Sequence, residues 1–130
     1  MSAKILIVED NEKNMKLMRD VLQYKGYGTV QAVTGEAGWR LALSERPDLV
    51  LMDIQLPDVD GITVLRRIRA DASFDATPVL AVSASVMPED QSKIGGSGFD
   101  FFVPKPISLK PFLATVEHFI QHGRKPLPKS

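Results

Sequence analysis

The sequence contains no cysteine. Zinc sites built on thiolates, haem attached through cysteine and thiol catalysis are therefore excluded, and a reducing compartment is compatible with the composition. Neither sign of charge dominates: 16 Lys and Arg stand against 16 Asp and Glu, a formal net charge of zero. Dedicated binders of nucleic acid or anionic membranes usually carry a basic excess on one face, so the balance argues against both. Long hydrophobic runs are missing too. The stretch Ile5-Leu6-Ile7-Val8 stops at Glu9-Asp10, too short for a signal-peptide core, and no window approaches the roughly 18 apolar residues of a spanning helix. The expected address is the cytoplasm. Solenoid repeats, low-complexity blocks and a Gly-Lys-Ser/Thr phosphate loop are also absent.

What remains fits one domain. The 130 residues are 44% hydrophobic and 25% charged. A chain of this length buries about two-thirds of its unfolded surface and needs no disulfide or structural metal to compensate for a small core. Residues 5–8, 49–52 and 79–82 are apolar without alternation, as expected of parallel strands covered on both faces. Residues 29–33, mixed enough to be an edge, and 99–103 are weaker strand candidates. Helical spacing lies between them: Met15, Met18, Val21 and Leu22 before Gly26; Ala37, Leu41 and Ala42 before Pro47; Ile62, Leu65 and Ile68 after Gly61; and Phe112, Val116, Phe119 and Ile120 near the end. A fourth helix of about two turns is expected after Pro88, shortened by Gly95, Gly96 and Gly98. Such alternation implies an α/β fold, a doubly wound sheet of five parallel strands with five helices. Residues 1–122 form the expected domain, and 123–130 an expected flexible tail, polar and broken by proline.

In open parallel sheets, ligands bind beyond the carboxyl ends of the strands. Glu9 and Asp10 follow the first strand, Asp53 the third, Ser83 the fourth and Lys105 the fifth. Any one acid here reads equally well as a turn or helix cap. Together, three carboxylates would repel and raise one another's pKa unless a cation neutralised them, and all-oxygen ligands suit a hard ion such as Mg²⁺. With the Lys105 charge and the Ser83 hydroxyl, the set has the parts for moving a phosphoryl group onto a carboxylate.

Glu9-Asp10, Met52-Asp53 with Leu56-Pro57 and Asp60-Gly61, Ser83-Ala84 and Lys105-Pro106, in this order and spacing, resemble the receiver domain of bacterial two-component response regulators. The resemblance covers residues 4 to about 122. Its detail in Val8-Glu9-Asp10-Asn11, 52–57 and 105–108 is similar to DivK-like single-domain regulators of cell-cycle phosphorelays. The resemblance implies strand order 2-1-3-4-5 and a phosphoacceptor at Asp53. It implies Mg²⁺, with Mn²⁺ able to substitute, held by Asp10, Asp53, the Gln55 backbone carbonyl and Glu9 through water. Ser83 and Ala84 would bind the phosphoryl group, Lys105 would pair with it, and Phe102 would be the aromatic that swings inward. The Lys105–Pro106 peptide would be cis, and Gln55 and Ser85 would tune the acyl phosphate lifetime. A histidine kinase or histidine phosphotransferase would donate, and a downstream protein would dock on the face of the fourth helix, fifth strand and last helix. No output domain is expected in the chain, and no metabolite is turned over beyond self-phosphorylation and self-dephosphorylation.

Some residues depart from the family pattern: Ser83 replaces the commoner Thr, Phe102 the commoner Tyr, and Pro104 precedes the lysine. Two other readings stay open, a docking module that is never phosphorylated and an aspartyl-phosphate hydrolase. The hydrolase typically has a second Asp where this chain has Gln55. Residues 58–61 read as a capping turn rather than a calcium loop, His118 and His122 as surface imidazoles, and Arg66, Arg67 and Arg69 as a solvated helix face. Trp39 has no assigned role.

Overall fold

The computed structural model describes residues 3–83 and 98–125. In chain order these form β1 (Lys4–Val8), α1 (Glu12–Tyr24), β2 (Gly28–Ala32), α2 (Gly35–Glu45), β3 (Leu49–Asp53), α3 (Gly61–Ala70), a 3₁₀ turn (Ala72–Phe74), β4 (Val79–Ser83), β5 (Phe101–Pro104) and α4 (Leu109–His122). The helix expected after Pro88, Ala84, Ser85 and residues 126–130 lie outside the described residues, which hold four α-helices rather than five. All strand pairs are parallel, in the order β2-β1-β3-β4-β5. The chain leaves β1 toward one edge and returns to its other side at β3, so the switch in strand order lies between the ends that carry Glu9-Asp10 and Asp53.

The apolar runs lack alternation because both faces of the sheet are covered. Leu6, Val8, Val50, Met52, Val79 and Ala81 pack toward α2 and α3. Their neighbours Ile5, Ile7, Leu49, Leu51, Leu80 and Val82 pack with residues of α1 and α4, among them Met18, Leu22, Val116 and Phe119. Half-exposed β2 is the edge its mixed composition suggests. Trp39 tilts against Phe74, with ring centroids 6.2 Å apart, at the margin of the α2–α3 core. Helix starts are fixed locally: Asn11 accepts from Asn14 N at 3.0 Å, Thr34 from Ala37 N at 3.1 Å and Asp60 from Thr63 N at 2.9 Å. Because Asn11 takes the capping role at α1, Glu9 and Asp10 are left for the sheet edge.

Arg69 corrects the expectation of a solvated arginine face. Arg66 and Arg67 are exposed, and Arg67 pairs with Glu36 at 3.0 Å. The Arg69 side chain, only 15% exposed, binds Asp100 at 2.9 Å through Nη2. It also donates from Nη1 to the carbonyls of Phe74 (3.0 Å) and Thr77 (2.9 Å), and from Nε to that of Gly98 (3.1 Å). Asp100 in turn accepts from Val79 N at 2.9 Å and meets Arg124 Nε at 2.7 Å, drawing the residues just past α4 onto the entry to β5. Residue 69 sits beside the buried stripe of Leu65 and Ile68, so its stem lies inside while its planar head satisfies carbonyls that would otherwise be stranded. Arg69→Ala is expected to lower unfolding stability by about 2–4 kcal/mol, the cost of leaving a buried carboxylate and several carbonyls short of partners. Arg66→Ala should stay within about 0.5 kcal/mol. Urea denaturation of the two variants checks this, and equal midpoints would contradict the assignment.

Candidate functional site

Parallel strands deliver all their carboxyl ends to one edge, and the register determines what meets there. Asp53, the last residue of β3, lies opposite Val82, and Ser83, the last of β4, lies opposite Pro104. Glu9 extends the β1 ladder by one rung through its N–H to the Ala32 carbonyl at 2.9 Å, and Lys105 extends β5 by donating to the Ser83 carbonyl at 3.0 Å. Glu9, Asp53 and Ser83 are buried, whereas Asp10 is exposed at the rim. The Lys105–Pro106 peptide is cis.

One ammonium sits between two acids. Lys105 Nζ lies 2.7 Å from Glu9 Oε1 and 3.2 Å from Asp53 Oδ2. Backbone N–H groups hold the other oxygens: Asn11 N donates to Glu9 Oε2 at 3.2 Å and Gln55 N to Asp53 Oδ1 at 3.0 Å. Glu9 Oε1 is buried against the Lys105 ammonium, and no other hydrogen-bond donor among the described residues reaches it. Oxygens of Glu9, Asp10 and Asp53 lie within 4.8 Å of one another. Burial, reinforced by neighbouring Asp53, pushes the Glu9 carboxyl up to about 7, against the opposing pull of Lys105 and the Asn11 N–H. Burial pushes the Lys105 ammonium down, but Glu9 and Asp53 outweigh it and hold the pKa above the ordinary lysine value. Among the described residues, three acids around one lysine leave an excess of negative charge, and their all-oxygen donor set fits a hard divalent cation.

The structure therefore brings together Glu9, Asp10, Asp53, Gln55 and Lys105, with Ser83 at the neighbouring strand end. Phe102 lies apart from the carboxylates, half-buried on β5 and packed toward the α2–α3 core. Ala84 and Ser85 are outside the described residues. Sequence reasoning placed Gly61 in the family motif and in the turn that opens a helix, without the backbone contact behind it. Its N–H donates to the Ile54 carbonyl at 2.8 Å, and a Cβ there would run into the Asp53 carbonyl oxygen and come within 3.0 Å of Ile54 Cα. Only a glycine lets α3 begin this close to the backbone of Asp53.

The Glu9 environment sets a pH dependence. In the metal-free protein its carboxyl stays protonated to about pH 7, whereas the unfolded chain loses that proton near 4.5. Between these values the folded state binds more protons, so stability falls as pH rises through the window. The melting temperature of EDTA-treated protein should therefore drop between about pH 5 and about pH 7.5, and Glu9→Gln should flatten the drop. Added Mg²⁺ should raise the melting temperature more at the higher pH, because the cation competes with the proton. Calorimetric scans across this range check the sign, and a midpoint that climbs with pH would contradict it.

The model of the response regulator receiver domain family matches residues 5–117. The chain is 41% identical over 120 residues to the polar-differentiation response regulator DivK of Brucella anthropi, covering 92% of this chain and 98% of that protein. The protein of the same name from Brucella ovis is 40% identical over the same shares. Among solved structures, the chemotaxis response regulator CheY4 of Vibrio cholerae superposes with a TM-score of 0.86 at 24% identity, over 91% of this chain and 98% of that one. The receiver domain of a sensor histidine kinase from Pseudomonas aeruginosa, with a magnesium ion coordinated in its active-site cleft, gives 0.85 at 28% identity, over 93% and 99%. With the strand order expected of that family and a matching model over most of its length, this chain belongs to the receiver domains of two-component response regulators.

Proposed function

We propose that Asp53 is the residue that accepts a phosphoryl group, donated by a histidine kinase or histidine phosphotransferase, and that the modified domain signals by changing its affinity for a downstream protein. The observation that carries this reading is the single Lys105 ammonium held between buried Glu9 and Asp53, with Asp10 at the rim. A carboxylate oxygen of Asp53 attacks phosphorus, the new O–P bond forms as the P–N bond to the donor imidazole breaks, and the imidazole leaves and takes a proton from solvent. Lys105 is within reach to follow the charge as it moves from the carboxylate to the phosphoryl oxygens. The Ser83 hydroxyl, at the adjacent strand end, supplies a hydrogen bond, and Phe102 reorients on β5 as Ser83 closes.

Asp10, Asp53, the Gln55 carbonyl and, through water, Glu9 would hold Mg²⁺, for which Mn²⁺ should substitute as a similarly hard ion. When bound, the cation neutralises charge shared by the acceptor carboxylate and the incoming phosphoryl oxygens. Ala84 as a phosphoryl-binding residue, and Ser85 with Gln55 as residues that tune lifetime, rest on the family resemblance. So does the docking face expected from the segment after Pro88 together with β5 and α4. The domain speeds its own phosphorylation and hydrolysis and turns over no metabolite. A cytoplasmic address follows from where the donor kinase keeps its phosphoryl group. Residues 1–122 make up the working domain, and Arg124 just beyond it is drawn back onto Asp100.

Incubation with acetyl phosphate and Mg²⁺ should give one phosphoryl adduct by intact mass, absent in Asp53→Asn and in EDTA. A wild type that binds Mg²⁺ and stays folded yet gains no adduct would overturn the reading in favour of a constitutive docking module.

A further inference from the structure

The β3–α3 loop, residues 54–60, carries the Gln55 carbonyl and is held at its two ends. Ile54 N donates to the Val82 carbonyl at 3.4 Å, Gln55 N to Asp53 Oδ1 at 3.0 Å, and Gly61 N closes back on the Ile54 carbonyl at 2.8 Å. The middle of the loop has little burial to hold it: Pro57, Asp58 and Asp60 are exposed, and only Leu56 and Val59 reach the edge of the α2–α3 core. There Asp58 makes a long-range contact. Its Oδ1 accepts from Gly35 N at 2.8 Å and its Oδ2 from Glu36 N at 3.0 Å, both in the first turn of α2. These two N–H groups hold the Asp58 carboxyl below its ordinary range, so it is ionised at neutral pH and faces the positive end of the α2 dipole. The two segments also touch sterically, since a Cβ on Gly35 would run into the Val59 side chain.

Helix α2 has a cap from its own segment besides Asp58. Thr34 already caps it locally through Ala37 N. The second, remote carboxylate therefore acts mainly on the segment that brings it. We propose that Asp58 is a positioning residue of the phosphorylation site: by pinning the loop to the first turn of α2, it fixes the Gln55 carbonyl where a cation shared with Asp10 and Asp53 would meet it. This rests on the phosphoacceptor reading, and it makes α2, which contributes no group to the cleft, part of the support of the metal site.

The two caps of one helix end provide the test. Asp58→Ala releases both the helix and the loop; Thr34→Ala weakens the same helix end and leaves the loop bonds in place. Mg²⁺ affinity, measured by titration calorimetry without any phosphodonor, should weaken about tenfold in Asp58→Ala and stay within about twofold of wild type in Thr34→Ala. Asp58→Asn, which keeps one acceptor oxygen, should fall between them. Amide exchange in residues 54–60 of the metal-free protein should quicken in Asp58→Ala alone. Both variants should melt lower, so melting temperature by itself would not separate the roles. If wild type binds Mg²⁺ and Asp58→Ala binds it equally well, or if loop exchange is unchanged, this inference falls while the phosphoacceptor reading stands. A wild type that binds no Mg²⁺ would overturn both.

Discussion

The Lys105 ammonium between Glu9 and Asp53 is the constraint to which the rest of the site answers. Two buried carboxylates on adjacent strands are tolerable only with a compensating positive charge, and in the described structure that charge arrives on a flexible stem from two strands away. The ladder bonds that extend β1 to Glu9 and β5 to Lys105 bring the partners within reach, and the apolar rungs behind them exclude water. Lowering the local dielectric in this way strengthens each interaction, and it also makes any unbalanced charge costly. The remaining negative excess is what a hard cation would offset in the proposed reading.

Much of this arrangement is legible in the sequence because its cause is local. A strand covered on both faces has to be apolar at every position, so the three central runs stand out without help from other segments. The groups at the working edge follow directly from those runs: once the strands are assigned, Glu9, Asp10, Asp53, Ser83 and Lys105 fall at their ends. Two small offsets reflect the limits of composition. Strand β2 begins at Gly28, a residue with little strand preference that is recruited by pairing with Lys4, and β5 begins at Phe101 because Phe99 turns into the core before the ladder starts.

What the sequence leaves hidden is long-range. Arg69 has the spacing of a surface residue, and its burial depends on carbonyls from the 3₁₀ turn and the approach to β5, which no local pattern encodes. Asp58 and Asp60 look alike in one acidic turn. The structure divides them between two helices, because Asp58 has its partners 22 and 23 residues earlier. Gly61 is similar: a glycine opening a helix is unremarkable until the Asp53 carbonyl is found against its Cα.

The contact at Gly61 braces the backbone of Asp53. Asp53 is paired with Val82 of β4 and has the first residue of α3 against its carbonyl, so its main chain is held in place at the point where the proposed phosphoryl group would add charge. Adjustment must come from elements with fewer neighbours. Among the described residues, β5 has one strand partner, its first two residues are half-buried, and it leads into the lysine that neutralises the site. With Asp53 as the proposed acceptor, its held backbone and the edge position of β5 would give the domain a direction, outward from the centre of the sheet through β5.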